Sequence, residues 1–136
     1  MKNEEIFTLI KYRLEEAHNA LNDAKFLMEN NRSFQSIINR AYYAMFYSVL
    51  ALLQFIGKIP SKHTGVISLF DTEFVLKDVF PKDLSKMLHK AFELRNTVDY
   101  KTCKPISKEK TEETLKNAEY FVKVIYEYLN GQMNKE

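Results

Sequence analysis

A chain of 136 residues is enough for one domain with its own core and gives no reason to expect a second. Lysine and arginine exceed aspartate and glutamate by two, 20 against 18, so no global field marks a general nucleic-acid binder, and any such contact has to be local. A single cysteine, Cys103, excludes an internal disulfide framework and a cysteine-rich metal site; it reads as a loop thiol with no base beside it.

The opening MKNEEIFTL carries acids where a signal peptide needs a basic start and an apolar run, which predicts a cytoplasmic protein. Three glycines and three prolines punctuate the chain, favouring long helices and few turns. From about Glu4 to Glu29, Ile6, Ile10, Leu14, Ala17, Leu21, Ala24, Leu27 and Met28 recur every three or four residues and predict a first helix, with Lys11, Glu15 and a solvated His18 on its polar side. Asn30, Asn31 and Arg32 break the pattern. Ser33 can then cap a second helix, and so short a break makes the two antiparallel.

That second helix holds Ile37 to Ile56, where all residues but Asn39, Arg40, Ser48 and Gln54 are apolar or aromatic. A helix apolar nearly all round is a central one. Its most apolar part, Ala41 to Ile56, includes Ser48, Gln54 and three tyrosines and falls short of the roughly 20 residues that span a bilayer. Gly57 can take the left-handed conformation that closes helices. Beyond it, Ser61 or Thr64 can cap a shorter third helix carrying Val66, Ile67, Phe70 and Phe74.

A fourth helix is predicted from Pro81 to Val98, with Leu84, Met87, Leu88, Ala91, Leu94 and Val98 inward and a solvated stripe of Lys82, Lys86 and Lys90. After YKTCKPI, Ser107 can cap a fifth helix with Leu115, Ala118, Phe121, Val122, Ile125 and Leu129 in register. Gly131 is expected to end it, leaving residues 131–136 as a frayed tail beyond a single domain of residues 1–130. No stretch alternates as a strand does. The fold expected is all-α, an up-and-down bundle of four long helices and one short one.

There is no HExxH, no cysteine pair and no glycine-rich loop, and His18, His63 and His89 are far apart in sequence. No metal and no cofactor are therefore expected. Polar residues embedded in apolar helices remain: Asn39 and Arg40 with Tyr42 and Tyr43 at the start of the central helix, and Arg95 to Tyr100, RNTVDY, at the end of the fourth. Asp99 follows Arg95 by four residues and Asn96 by three, so a guanidinium, an amide and a carboxylate can share one helical face. Arginine's planar fork suits phosphate or carboxylate. The alternative is that Arg40 or Arg95 pairs with Asp99 to neutralise a buried charge and fix helix register.

At these residues the sequence resembles the HEPN domain (higher eukaryotes and prokaryotes nucleotide-binding), in its stand-alone prokaryotic branch. The matching pieces are ALNDAKFL, INRAYYAMFYSVLALL, KHTGVISLF, FELRNTVDY and NAEYFVKVIYEYL, in that order and over nearly the whole chain. The resemblance implies a helical bundle that dimerises, typically encoded beside a minimal nucleotidyltransferase as one half of a toxin-antitoxin pair. Many family members are metal-independent ribonucleases whose motif is an arginine, a polar residue, a short spacer and a histidine, brought face to face across the dimer. Arg95 and Asn96 match the first two positions, but where the histidine should stand the chain reads Tyr100, Lys101 and Thr102.

Metal-free RNA cleavage needs one group to take the proton of the 2′-hydroxyl and another to protonate the leaving oxygen. A tyrosine with its ordinary pKa of about 10 is a poor base. Asp99 could act only if burial raised its pKa toward neutral. Binding is thus expected over cutting, by a homodimer in contact with a nucleotide or RNA and with a nucleotidyltransferase partner, and with no membrane contact. Arg95, Asn96, Asp99 and Tyr100 would form a polar groove, with Asn39, Arg40 and Tyr43 beside it and Tyr100 as a modification or stacking position. One alternative is a divergent ribonuclease toxin in which Arg95 and Asp99 are catalytic, or in which His63 or His89 supplies the base. The other is a plain helical interaction module.

Overall fold

The apolar stripes read from the sequence become helices that converge on one element. A computed structural model describes residues 2–99 and 106–135, without the side chains of Lys2, His63 and residues 97–99. In chain order it contains α1 (Lys2–Glu29), α2 (Phe34–Ile56), α3 (His63–Phe70), a π-helical turn (Asp71–Val75), α4 (Lys82–Asp99) and α5 (Lys108–Asn134). This is the expected all-α bundle. The turn from α1 to α2 passes through Asn31 at φ 54°, a left-handed position that asparagine tolerates better than most residues. Ser33 then caps α2, its Oγ accepting from the Ser36 amide at 3.2 Å.

α2 packs against α1, α3, α4 and α5, which is why it is apolar on every side. Ile37, Ile38, Ala41, Tyr42, Ala44, Met45, Phe46, Ser48, Val49, Ala51, Leu52 and Leu53 are all buried. Ala17, Ala20 and Ala24 of α1 are buried as well, and such small side chains allow two backbones to approach closely. The Ser48 hydroxyl, fully enclosed, donates to the Met45 carbonyl at 2.7 Å, so this polar group in the core is satisfied within its own helix. Gly57 ends α2 at φ 72°, as its position suggests.

Three expectations need correction. Neither Ser61 nor Thr64 caps α3; Lys62 holds the cap position and its side chain makes no capping bond. The fifth helix does not stop at Gly131 but runs on to Asn134, because Met133, four residues after Leu129, extends the buried stripe. Burying such a side chain contributes about 1.5–3 kcal/mol, more than the roughly 0.5–1 kcal/mol that a mid-helix glycine costs. The lysine stripe of α4 is not simply solvated, since Lys90 forms an ion pair with Glu113 that ties α4 to α5.

The π turn continues α3 with one extra residue in its winding and sends Phe74 and Val75 into the core. Phe70 lies 5.4 Å from Phe121, 6.0 Å from Phe80 and 6.2 Å from Phe74 between ring centroids, an aromatic cluster that seats this segment on α5. Glu73 anchors it from outside, with Lys77 Nζ at 2.9 Å and Lys58 Nζ at 3.1 Å. No helix among the described residues is long and apolar enough to cross a membrane.

Candidate functional site

Arg40 and Tyr43 stand three residues apart on α2, and the guanidinium carbon of Arg40 lies 5.3 Å from the centre of the Tyr43 ring. Asn39 Oδ1 accepts from Arg40 Nε at 3.3 Å and Nη2 at 3.1 Å, which orients the fork. From the far end of α4, Arg95 reaches the same ring. Its guanidinium carbon is 5.2 Å from the centre of Tyr43 and 5.6 Å from that of Tyr42, while Nη1 donates to Asn96 Oδ1 at 3.4 Å. The two polar stretches of the sequence, some 55 residues apart, therefore meet at one tyrosine ring.

Asn39, Arg40, Tyr43, Arg95 and Asn96 are thus brought together, all partly exposed. Tyr100 and the side chain of Asp99 lie outside the described residues, as do Cys103 and the side chains of Val98 and His63. A cavity of about 350 Å³ opens beside Arg40, lined by Leu27, Gln35, Ser36 and Asn39. Among the described residues, no group of three or more histidine, cysteine, aspartate or glutamate side chains could hold a metal ion.

Two features of this region escaped the sequence reading. Tyr42 is completely buried beneath Arg95, and among the described residues its hydroxyl has no hydrogen-bond partner. Burial pushes its ionisation far above the ordinary tyrosine value, Arg95 pulls it partly back and Tyr43 adds to the rise. A hydroxyl so held stays neutral and cannot serve as a base. The second feature is on α4, where His89 bonds to Asp71 of the π turn instead of lying free beside the lysine stripe: Nε2 is 2.6 Å from Asp71 Oδ2. No motif spacing joins residues 18 apart across two elements. His18 also departs from a solvated reading; its Nδ1 is 2.9 Å from the Leu14 carbonyl and its ring sits edge-on to Tyr126 at 5.2 Å.

The HEPN domain model matches residues 10–129 of this sequence. The chain belongs to the HEPN family. A UPF0332 protein of Thermotoga maritima is 39% identical to this HEPN chain over 117 residues, covering 86% of the chain and 88% of the relative. Two proteins of Methanocaldococcus jannaschii are also similar. One, named "Putative toxin MJ0605", is 37% identical over 88% of each chain; the other, "Putative toxin MJ0142", is 32% identical over 85% of this HEPN chain and 78% of its own length.

Chemically, the site offers two donor forks and two side-chain amides around a tyrosine face. Arginine forks donate in the plane and matching geometry that phosphate oxygens require. The cations resting on the ring gain about 0.5–1 kcal/mol each from its negative face when exposed, and more when desolvated. The ring thus gathers two guanidinium forks at one place, donors of the kind that phosphate oxygens accept from.

Proposed function

We propose that this chain is the HEPN half of a toxin-antitoxin pair, a homodimeric cytoplasmic protein that binds the phosphate of a nucleotide or RNA at Arg40 and Arg95. Its partner in this reading is a minimal nucleotidyltransferase. The carrying observation is that guanidinium groups from α2 and α4 converge on the ring of Tyr43. Asn39 and Asn96 orient them, and the toxin names of the two archaeal relatives support the cellular role. Asp99 and Tyr100 would complete the groove.

The test is a thermal-shift series on the purified chain with nucleoside mono-, di- and triphosphates and short RNAs, repeated on Arg95→Ala and Arg40→Ala. A ligand present at 100 times its Kd stabilises the native state by about 2.7 kcal/mol, a shift easily read. The wild-type midpoint is expected to rise and the Arg95→Ala midpoint to stay put. An undiminished shift in Arg95→Ala moves the site elsewhere. No shift with any ligand, together with a destabilised Arg95→Ala, leaves the interaction module.

The toxin names also favour a second reading, a divergent ribonuclease in which Arg95 stabilises charge on the phosphate. Tyr42 is excluded as its base by burial, which leaves Asp99, His63 or His89, the last held through Nε2 by Asp71, to take the proton. Growth arrest on expression, relieved by Arg95→Ala, supports this reading. Normal growth with intact RNA removes it.

A further inference from the structure

Asp71, at the junction of α3 and the π turn, lies between two side chains of α4. Ser85 Oγ donates to Asp71 Oδ1 at 2.7 Å, and His89 Nε2 lies 2.6 Å from Oδ2. An ionised carboxylate accepts only, so the imidazole carries its proton on Nε2 and turns Nδ1 the other way. The His89 side chain remains 48% exposed and lines a cavity of about 310 Å³ with Thr64, Ile67, Ser68, Asp71 and Phe92. Two walls of this cavity are apolar, from Ile67 and Phe92. Its rim carries the hydroxyls of Thr64 and Ser68 and the imidazole. A flat heteroaromatic ring with donors and acceptors along its edge has that pattern, and the volume lies at the lower end of the range for small-ligand sites.

The cavity and Arg95 both belong to α4. Ser85, His89, Phe92 and Asn96 fall on one face of α4, and His89 to Arg95 is about 9 Å along the helix axis. Phe92 lies 5.8 Å from Tyr42, over which Arg95 rests at 5.6 Å. The axial rise alone is comparable to the span from phosphate to base edge within one nucleotide, with Arg95 turned about 120° round the helix from His89.

We propose that the cavity between α3 and α4 is a nucleobase pocket, in which Ile67 and Phe92 face the base and His89, Thr64 and Ser68 meet its edge, while Arg95 takes the attached phosphate. Asp71 is a positioning residue, fixing the imidazole through Nε2. The pocket rests on the phosphate reading of Arg95, and it adds that the ligand is a ribonucleotide, free or within RNA, recognised by its base.

The experiment is isothermal titration of the full chain with the four ribonucleoside 5′-monophosphates, inorganic pyrophosphate and a single-stranded hexaribonucleotide. Wild type is compared with Arg95→Ala, His89→Ala and Ser68→Phe. Ser68 is exposed, so a phenylalanine there fills the cavity without breaking the core or the pair between His89 and Asp71. His89→Ala and Ser68→Phe are each expected to weaken the best monophosphate tenfold or more while leaving pyrophosphate within twofold; Arg95→Ala loses both. Tighter binding of the hexamer than of any monophosphate marks RNA as the source of the base, and the reverse marks a free nucleotide. Monophosphate affinity within twofold of wild type in either pocket variant overturns the pocket and leaves the arginine site standing. Unchanged binding in Arg95→Ala, or a wild type that binds neither nucleotide nor RNA, overturns the phosphate reading and the pocket with it.

Discussion

Tyr42→Phe is expected to make the protein more stable. The ring is fully enclosed, and its hydroxyl has no partner among the described residues. A buried donor left unsatisfied costs about 1–3 kcal/mol. Phenylalanine keeps the ring and its packing, 5.2 Å from Tyr43, 5.8 Å from Phe92 and 5.6 Å from the Arg95 guanidinium carbon, and removes only the oxygen. The variant should therefore gain about 1–3 kcal/mol in urea unfolding with an unchanged m-value. For a chain of this size each kcal/mol raises the melting temperature by roughly 3–5 °C. The alkaline limb adds a second reading of the same group. Burial raises its pKa in the folded state, so as pH climbs past the ordinary tyrosine value of about 10 the unfolded chain loses this proton first, and wild type loses stability that Tyr42→Phe retains. A variant less stable than wild type at neutral pH would refute the reasoning. If instead it is more stable yet binds ligand more weakly, the hydroxyl is held for function at the expense of the fold.

Gly131→Ala should stabilise the protein by about 0.5–1 kcal/mol in urea unfolding, because Gly131 lies inside α5 and a Cβ there meets nothing within 4 Å. Met133→Ala should cost about 2 kcal/mol in the same assay, since its side chain is buried against the core. Gly57→Ala should lower the thermal midpoint by an amount equivalent to about 1 kcal/mol, the left-handed φ of 72° being unfavourable to any side chain. The bonds from Lys77 and then Lys58 hold the Glu73 carboxyl below the usual range, so its contribution is present above the ordinary glutamate pKa and fades as pH falls through the depressed one. Thermal melts between neutral and acid pH should accordingly show a shallower acid loss for Glu73→Gln than for wild type.

The helices were legible wherever a stripe of apolar residues kept its period. Ser33, Ser107 and Gly57 also act as their residue types suggest, because capping chemistry is local to three or four residues. Gly131 misled because a glycine signals a helix end only when nothing beyond it is worth burying, and Met133 lies beyond it. The π turn has no sequence period of its own, so the approach of Asp71 to Ser85 and His89 could not be read. In the candidate site the residue types were visible, but their meeting was not. Asn39, Arg40 and Tyr43 are a local cluster and so are Arg95 and Asn96, whereas the shared use of the Tyr43 ring depends on the packing of α4 on α2.

Arg40 is the single charged residue in the whole length of α2, and the turns that follow it are the most enclosed part of the molecule. Half of the arginine pair is thus fixed to the element expected to exchange its amide protons last, when the entire bundle opens. On the proposed reading, ligand affinity and helicity should therefore disappear at the same denaturant concentration. Mutations deep in the core, far from any phosphate, would then change the fraction of competent molecules and leave the intrinsic affinity of each one untouched.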